Sequence, residues 1–226
     1  MDNKKLKIWF ILIIVFIIAL IVYGIYLLLN NSNVVLDKSK DIVYTYYENS
    51  DYNQQIPNIN VKKISEQVNS SIMDFTNNYK DNKTCSISYH YQVSGNILSL
   101  FIEVEDSKYE GASDVSFKSY IINLKKLKLL TDDEVLKLFD LDKEIVVKAI
   151  DDKFKNYYQE EINKNIINSK ITYQEYMNKR GISNLENNLY LDINDSKLNV
   201  YVDYNAFLAE EKQFYLSDVG YAFEFN

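Results

Sequence analysis

The sequence predicts an α+β fold carried behind a single membrane-spanning helix, and three observations support it. Residues 8–29 run for 22 positions without a charge. Apolar residues then recur at steps of three and four in two long stretches, the spacing of an amphipathic helix. Between and after these stretches the period drops to two, the signature of strands with one buried face.

The apolar run, at about 1.5 Å per residue, is about 33 Å long as a helix, enough to cross a hydrocarbon core of about 30 Å. Lys4, Lys5 and Lys7 lie just before it, and residues 30–36 after it carry no charge. The positive-inside rule therefore puts a short tail, residues 1–7, in the cytoplasm and the remainder outside. A signal-peptide core runs for about 7–15 residues, and this run is longer. It ends in Tyr23-Gly24-Ile25-Tyr26-Leu27 rather than a small-residue cleavage site, so it reads as an uncleaved signal anchor in the plasma membrane. Residues 30–41 form a polar stalk.

The remainder divides into an N-terminal extracytoplasmic part, residues 42–140, and a C-terminal one, residues 141–226. Ile42-Val43-Tyr44-Thr45-Tyr46-Tyr47, rich in β-branched and aromatic residues, predicts a first strand. A loop around Pro57 follows. Val61, Ile64, Val68, Ile72 and Phe75 share a helical stripe, predicting a helix from Asn60, as N-cap, to Tyr79. Cys85 to Val93 and the alternating Leu98, Leu100, Ile102 and Val104 predict a hairpin turning at Ser94-Gly95. A polar loop, residues 106–114, leads to a third strand over residues 115–124.

Thr131 and Glu134 make a capping box, as do Thr172 and Glu175, each opening a helix. The first runs through Phe139. The second stops at Arg180-Gly181, with a cation in the last turn and glycine in the left-handed position. Between them Ile145, Val146, Ala149, Ile150, Phe154, Tyr157, Tyr158 and Ile162 mark a long helix over residues 143–167. Residues 189–193 and 198–203 form a second hairpin, and residues 221–225 a last strand. The whole reads as an antiparallel sheet packed with helices, followed by a helix-plus-hairpin C-terminal part.

Several function classes are disfavoured. The net charge of −7 moves to −9 once Asp2, Lys4, Lys5 and Lys7 are set aside, which repels nucleic acid and suits a basic partner. Five glycines hold no GxGxxG or GxxxxGK, so nucleotide chemistry lacks its phosphate loop. One histidine, His90, and one cysteine, Cys85, give no multi-histidine metal site and no intrachain disulfide. No cofactor is expected. Asp192-Ile193-Asn194-Asp195 lacks the glycine and terminal glutamate of a calcium loop and reads as a turn. Asp132, Asp133 and Glu134 suit a helix N-terminus. Glu103 and Glu105 share one strand face and could in principle act as an acid/base pair on a sugar. The candidate partner contact is the polar 106–114 loop, with Tyr109, Glu110, Gly111 and Ser113.

Ile56-Pro57-Asn58-Ile59-Asn60, the hairpin end Ile97-Leu98-Ser99-Leu100, Glu110-Gly111-Ala112, Tyr120-Ile121-Ile122-Asn123-Leu124 and Leu130-Thr131 before Glu134-Val135-Leu136 occur in succession. Asn188-Leu189-Tyr190-Leu191 and Val200-Tyr201-Val202-Asp203-Tyr204 follow near the end. This succession resembles the paired extracytoplasmic domains of unknown function found in the lysozyme-binding anti-sigma-V factor and N-terminal to some peptidoglycan deacetylases. It departs at Ser113, where members often have histidine, and in a tail too short for a sigma-binding segment. The resemblance implies a non-enzymatic binding or sensing protein of the bacterial cell envelope, with a basic protein such as lysozyme, or cell-wall material, as partner. A glycan-active enzyme using carboxylates, and an accessory subunit of another membrane protein, are the alternatives.

Overall fold

The computed structural model describes residues 41–109, 112–206, 208–209, 213–214 and 222–225. Six strands form the larger sheet in chain order: β1 (Val43–Asn49), β2 (Gln54–Ile59), β3 (Cys85–Ser94), β4 (Ile97–Tyr109), β5 (Ala112–Asn123) and β6 (Lys128–Leu129). A smaller sheet has the order β11 (Ala222–Phe225), β8 (Lys197–Val202), β7 (Leu189–Asn194), and the short strands β9 (Leu208–Ala209) and β10 (Gln213–Phe214) pair with each other. The helices are α1 (Ser65–Thr76), α2 (Asp132–Lys137), α3 (Lys143–Asn163) and α4 (Tyr173–Lys179).

The period-two pattern of β4 explains the layering. Leu98, Leu100, Ile102 and Val104 point to one face, where Val68 and Ile72 of α1 join them in a core completed by Val43, Ile56, Ile59 and Ile122. Phe101 points the other way and packs with Phe117 against Tyr190, Tyr201 and Tyr204 of the C-terminal segment. On the far side of the small sheet, Leu191, Leu198, Val200 and Phe223 pack against Val146, Ile150 and Phe154 of α3 and Tyr176 of α4. The layers therefore run α1, large sheet, small sheet, then α3 and α4. Ile121, Val135 and Leu136 belong to that last core too, so residues on both sides of the 140/141 boundary share it; Ser39–Asn226 form one compact unit.

The fold class read from the sequence requires correction. The large sheet is mixed: β2 runs parallel to β3, paired at Gln54 and Ile87, because α1 provides the crossover that parallel neighbours need. The C-terminal part is a three-stranded sheet, since β11 pairs antiparallel with β8 alongside the β7–β8 hairpin. Among the described residues no helix is long and apolar enough to cross a membrane, and the expected span, residues 8–29, lies outside them, as do the tail and most of the stalk.

Local differences have identifiable causes. The Pro57 segment is strand β2, not loop; the missing proline amide is tolerated beside the irregularity in β1 between Thr45 and Tyr47, opposite Pro57 and Ile56. Helix α1 starts at Ser65 rather than after Asn60, because Lys63 has φ +71° and the Ser65 hydroxyl bonds both the amide and the carbonyl of Val61. The helix opened by Thr131 ends at Lys137, and α3 stops at Asn163. Most of the expected 106–114 loop is strand, with β4 reaching Tyr109 and β5 beginning at Ala112 opposite it. Both capping boxes form as read. Gly181 has φ +79°, and a Cβ there would sit 2.7 Å from the Asn205 side chain. Glycine meets both demands, the left-handed backbone and the close approach.

Candidate binding ledge

The C-terminal segment covers the outer face of β5 as far as Val115, where Tyr204 bonds it, but on β4 the cover stops short. At the covered end Ser99 and Phe101 of β4 are each 1% exposed. Two and four residues beyond Phe101 on the same face stand Glu103, half-buried, and Glu105, exposed. Ser88 of β3 lies opposite Glu103 and Ser86 opposite Glu105, since β3 and β4 pair in continuous register. The Ser113 hydroxyl donates to Glu105 Oε1 at 2.7 Å and lies 3.1 Å from the Ser107 hydroxyl. These groups make an acidic, hydroxyl-lined ledge on the open β3 side of β4; on the β5 side Phe117 and Val115, opposite the two carboxylates, are buried.

Burial pushes the Glu103 carboxyl above the ordinary carboxylate range; the neighbouring Glu105 charge adds to the rise and His90 opposes it. His90 marks the border between ledge and covered surface. Its Nε2 is 3.0 Å from Asp192 Oδ2, and its ring stacks on Phe101 with centroids 5.2 Å apart. Hydrogen bonding to Asp192 raises the imidazole pKa, desolvation opposes it, and the charges of Asp192 and Glu103 raise it further.

The other Asp192 oxygen accepts from the Ser99 hydroxyl at 2.8 Å, and that hydroxyl accepts from the Ile193 amide at 3.0 Å. Serine, aspartate and histidine thus meet with the carboxylate in the middle. In a hydrolytic triad the imidazole lies between the other two and takes the hydroxyl proton. Here Ser99 gives its proton to a carboxylate bond, so the trio ties sheets together rather than activating a nucleophile. A second aspartate, Asp203, fastens the opposite end: it accepts from the Phe117 amide at 2.7 Å and the Tyr190 hydroxyl at 2.8 Å.

Of the sequence-predicted contact residues, Ser113 joins the ledge through Glu105. Tyr109 ends β4, paired with Ala112. Glu110 and Gly111 lie outside the described residues. Glu103 and Glu105 stand on one face as expected, the first half-buried and the second exposed. Cys85 is buried. Asp192 is not in a turn but in β7, 1% exposed, and only Asp195 belongs to the turn. Asp132, Asp133 and Glu134 occupy the first turn of α2. Sequence reasoning missed the His90–Asp192 contact; an aspartate inside the otherwise apolar strand Leu189–Asn194 was its one visible sign. Among the described residues no group of three or more His, Cys, Asp or Glu is placed to hold a metal ion. A surface cleft of about 640 Å³ lies elsewhere, between α2 and the start of α3, lined by Asp133, Leu136, Lys137 and Ile145 among others.

No protein-family model matches the chain, and no curated protein matches it.

Proposed function

We propose that this is a non-enzymatic binding or sensing module of the bacterial cell envelope, and that the ledge of Glu103, Glu105 and Ser113 receives a cationic protein, with lysozyme as the type of ligand. The observation that carries the reading is the pair of carboxylates on one strand face of a chain with net charge −7. Such a face attracts a basic surface over a screening length of about 8–10 Å and leaves the flanking serine hydroxyls to set orientation. The apolar sequence of residues 8–29, with lysines before it, supports a location at the outer side of the plasma membrane.

Immobilised lysozyme tests this. Retention is expected at low ionic strength, release as salt approaches about 1 M, where screening falls to about 3 Å, and much weaker retention for the Glu103→Gln, Glu105→Gln double variant. Absence of retention at low salt, or equal retention of the double variant, refutes the ledge as the docking surface. The unequal environments of Glu103 and Glu105 favour one second reading, an acid/base pair acting on wall glycan. Hydrolysis of purified peptidoglycan that disappears in the double variant would establish it in place of the first.

A further inference from the structure

We propose that His90 is a proton-operated latch that fastens the turn end of the β7–β8 hairpin to the large sheet. The hairpin is held at two places with different chemistry. Away from the turn, Asp203 binds the Phe117 amide and the Tyr190 hydroxyl, Tyr204 exchanges backbone bonds with Val115, and Asp114 accepts from the Ala206 amide. None of these is an imidazole. At the turn end, Asp192 faces His90 and Ser99, the Asp195 amide donates to Gln92 Oε1 at 2.7 Å, and the Gln92 amide reaches Asp195 Oδ1 at 3.4 Å. Beneath them lies Phe101, whose ring contacts His90 on one side and Tyr201 of β8, 4.3 Å away between centroids, on the other.

The charged groups that act on His90 are acidic, Asp192 from β7 and Glu103 from β4, and a third carboxylate, Asp195, binds Gln92 two residues along β3. A protonated imidazole brings a cation into their midst, and imidazole is the side chain whose ordinary pKa lies between pH 5 and 8. The side chain of His90 is 47% exposed while Asp192 is 1% exposed, so the proton exchanges with solvent although its carboxylate partner does not. The sign follows from linkage. With its pKa raised above 6.5, His90 contributes its full stabilisation below the unfolded value and loses it as pH rises through the folded one. The latch is fastened in mild acid and loosened in mild alkali, and it does not depend on which ligand the ledge takes.

His90 is the sole histidine, so its imidazole signals in the full-length protein can be followed by NMR without assignment ambiguity. The expected midpoint lies above 6.5 and falls in Asp192→Asn. Between pH 6 and 8, amide protection at β7 and the following turn, corrected for intrinsic exchange, should fall by up to about tenfold for each unit by which the His90 pKa is raised, while β1 and β2 stay unchanged. His90→Gln, a change at a half-exposed side chain that keeps the fold testable if Asp192→Asn does not accumulate, should remove that pH dependence. A midpoint at or below 6.5, or the same pH-dependent loss of protection in His90→Gln, overturns the latch.

Discussion

Replacing Phe101 by alanine is the sharpest test of whether the two sheets share one core. The Phe101 ring is 1% exposed, and its centroid lies 4.3 Å from Tyr201, 5.2 Å from His90 and 5.3 Å from Phe117. Truncation therefore removes buried area and three ring contacts, one of them between the sheets and another with the His90 ring that holds the hairpin turn. Phenylalanine-to-alanine changes in packed cores cost about 3–5 kcal/mol, and aromatic pairs add about 0.5–1.5 kcal/mol each beyond area. A loss of about 4 kcal/mol is expected for Phe101→Ala. It is read in the compact unit Ser39–Asn226 by urea denaturation with near-ultraviolet circular dichroism. The wild-type transition should be single, because the sheets unfold together. A loss below about 1 kcal/mol, far under the ordinary range for such a truncation, or two separate wild-type transitions, would show that the aromatic cluster is a loose contact between independent parts.

Three other perturbations have defined outcomes. Arg180, 2% exposed, faces Glu161 of α3 at 3.2 Å. Glu161→Gln removes that buried counter-charge and should cost about 3–5 kcal/mol in the same denaturation assay. The fully buried amide of Gln54 serves the carbonyls of Tyr79, Asn82 and Cys85 and the amide of Asp81. Gln54→Leu should therefore cost at least about 2 kcal/mol, since each backbone group left bare costs about 1–3 kcal/mol. Glu103 has a folded pKa raised by burial, so its ionisation opposes folding as pH rises from the ordinary carboxylate value through the folded one. Glu103→Gln should then be more stable than wild type at pH 7 and no more stable below pH 4, while retaining less lysozyme.

What the sequence disclosed was local. Both capping boxes, the β3–β4 and β7–β8 hairpins and the long α3 could be read because their signals lie within a few residues of one another. Strand β2 could not, since Pro57 argues against a strand unless the irregular pairing with β1 is known, and its parallel contact with β3 depends on where α1 brings the chain back. The alternation in β4 correctly divided Leu98, Leu100 and Ile102 from Ser99, Phe101 and Glu103. It carried no sign that a second sheet would bury the first two of the latter set and leave the third half-buried. Arg180 read as a charge near a helix end; that it is buried against Glu161 depends on the packing of α3 on α4. The His90–Asp192 contact joins positions 102 residues apart, beyond any pattern that periodicity supplies.

The ledge itself follows from a mismatch of lengths. Strand β4 has 13 residues and β5 has 12 residues, whereas β7 and β8 have six each. At about 3.3 Å per residue the long pair spans about 40 Å and the short pair about 20 Å. Over β4 the shorter sheet stops short, while on β5 Tyr204, just past β8, still covers Val115. The chemistry of β4 changes where the cover ends: Ser99 and Phe101 beneath the small sheet, then Glu103 half-buried at its rim and Glu105 exposed beyond. Moving Phe101 outward by one alternation would leave a bare aromatic on an open strand, and moving Glu103 inward would bury a carboxylate among Phe117, Tyr190 and Tyr201. The raised pKa of Glu103 is the electrostatic mark of that border. The acidic surface offered to a partner and the core that holds the two sheets together are thus successive residues of one strand face, separated by the edge of the smaller sheet.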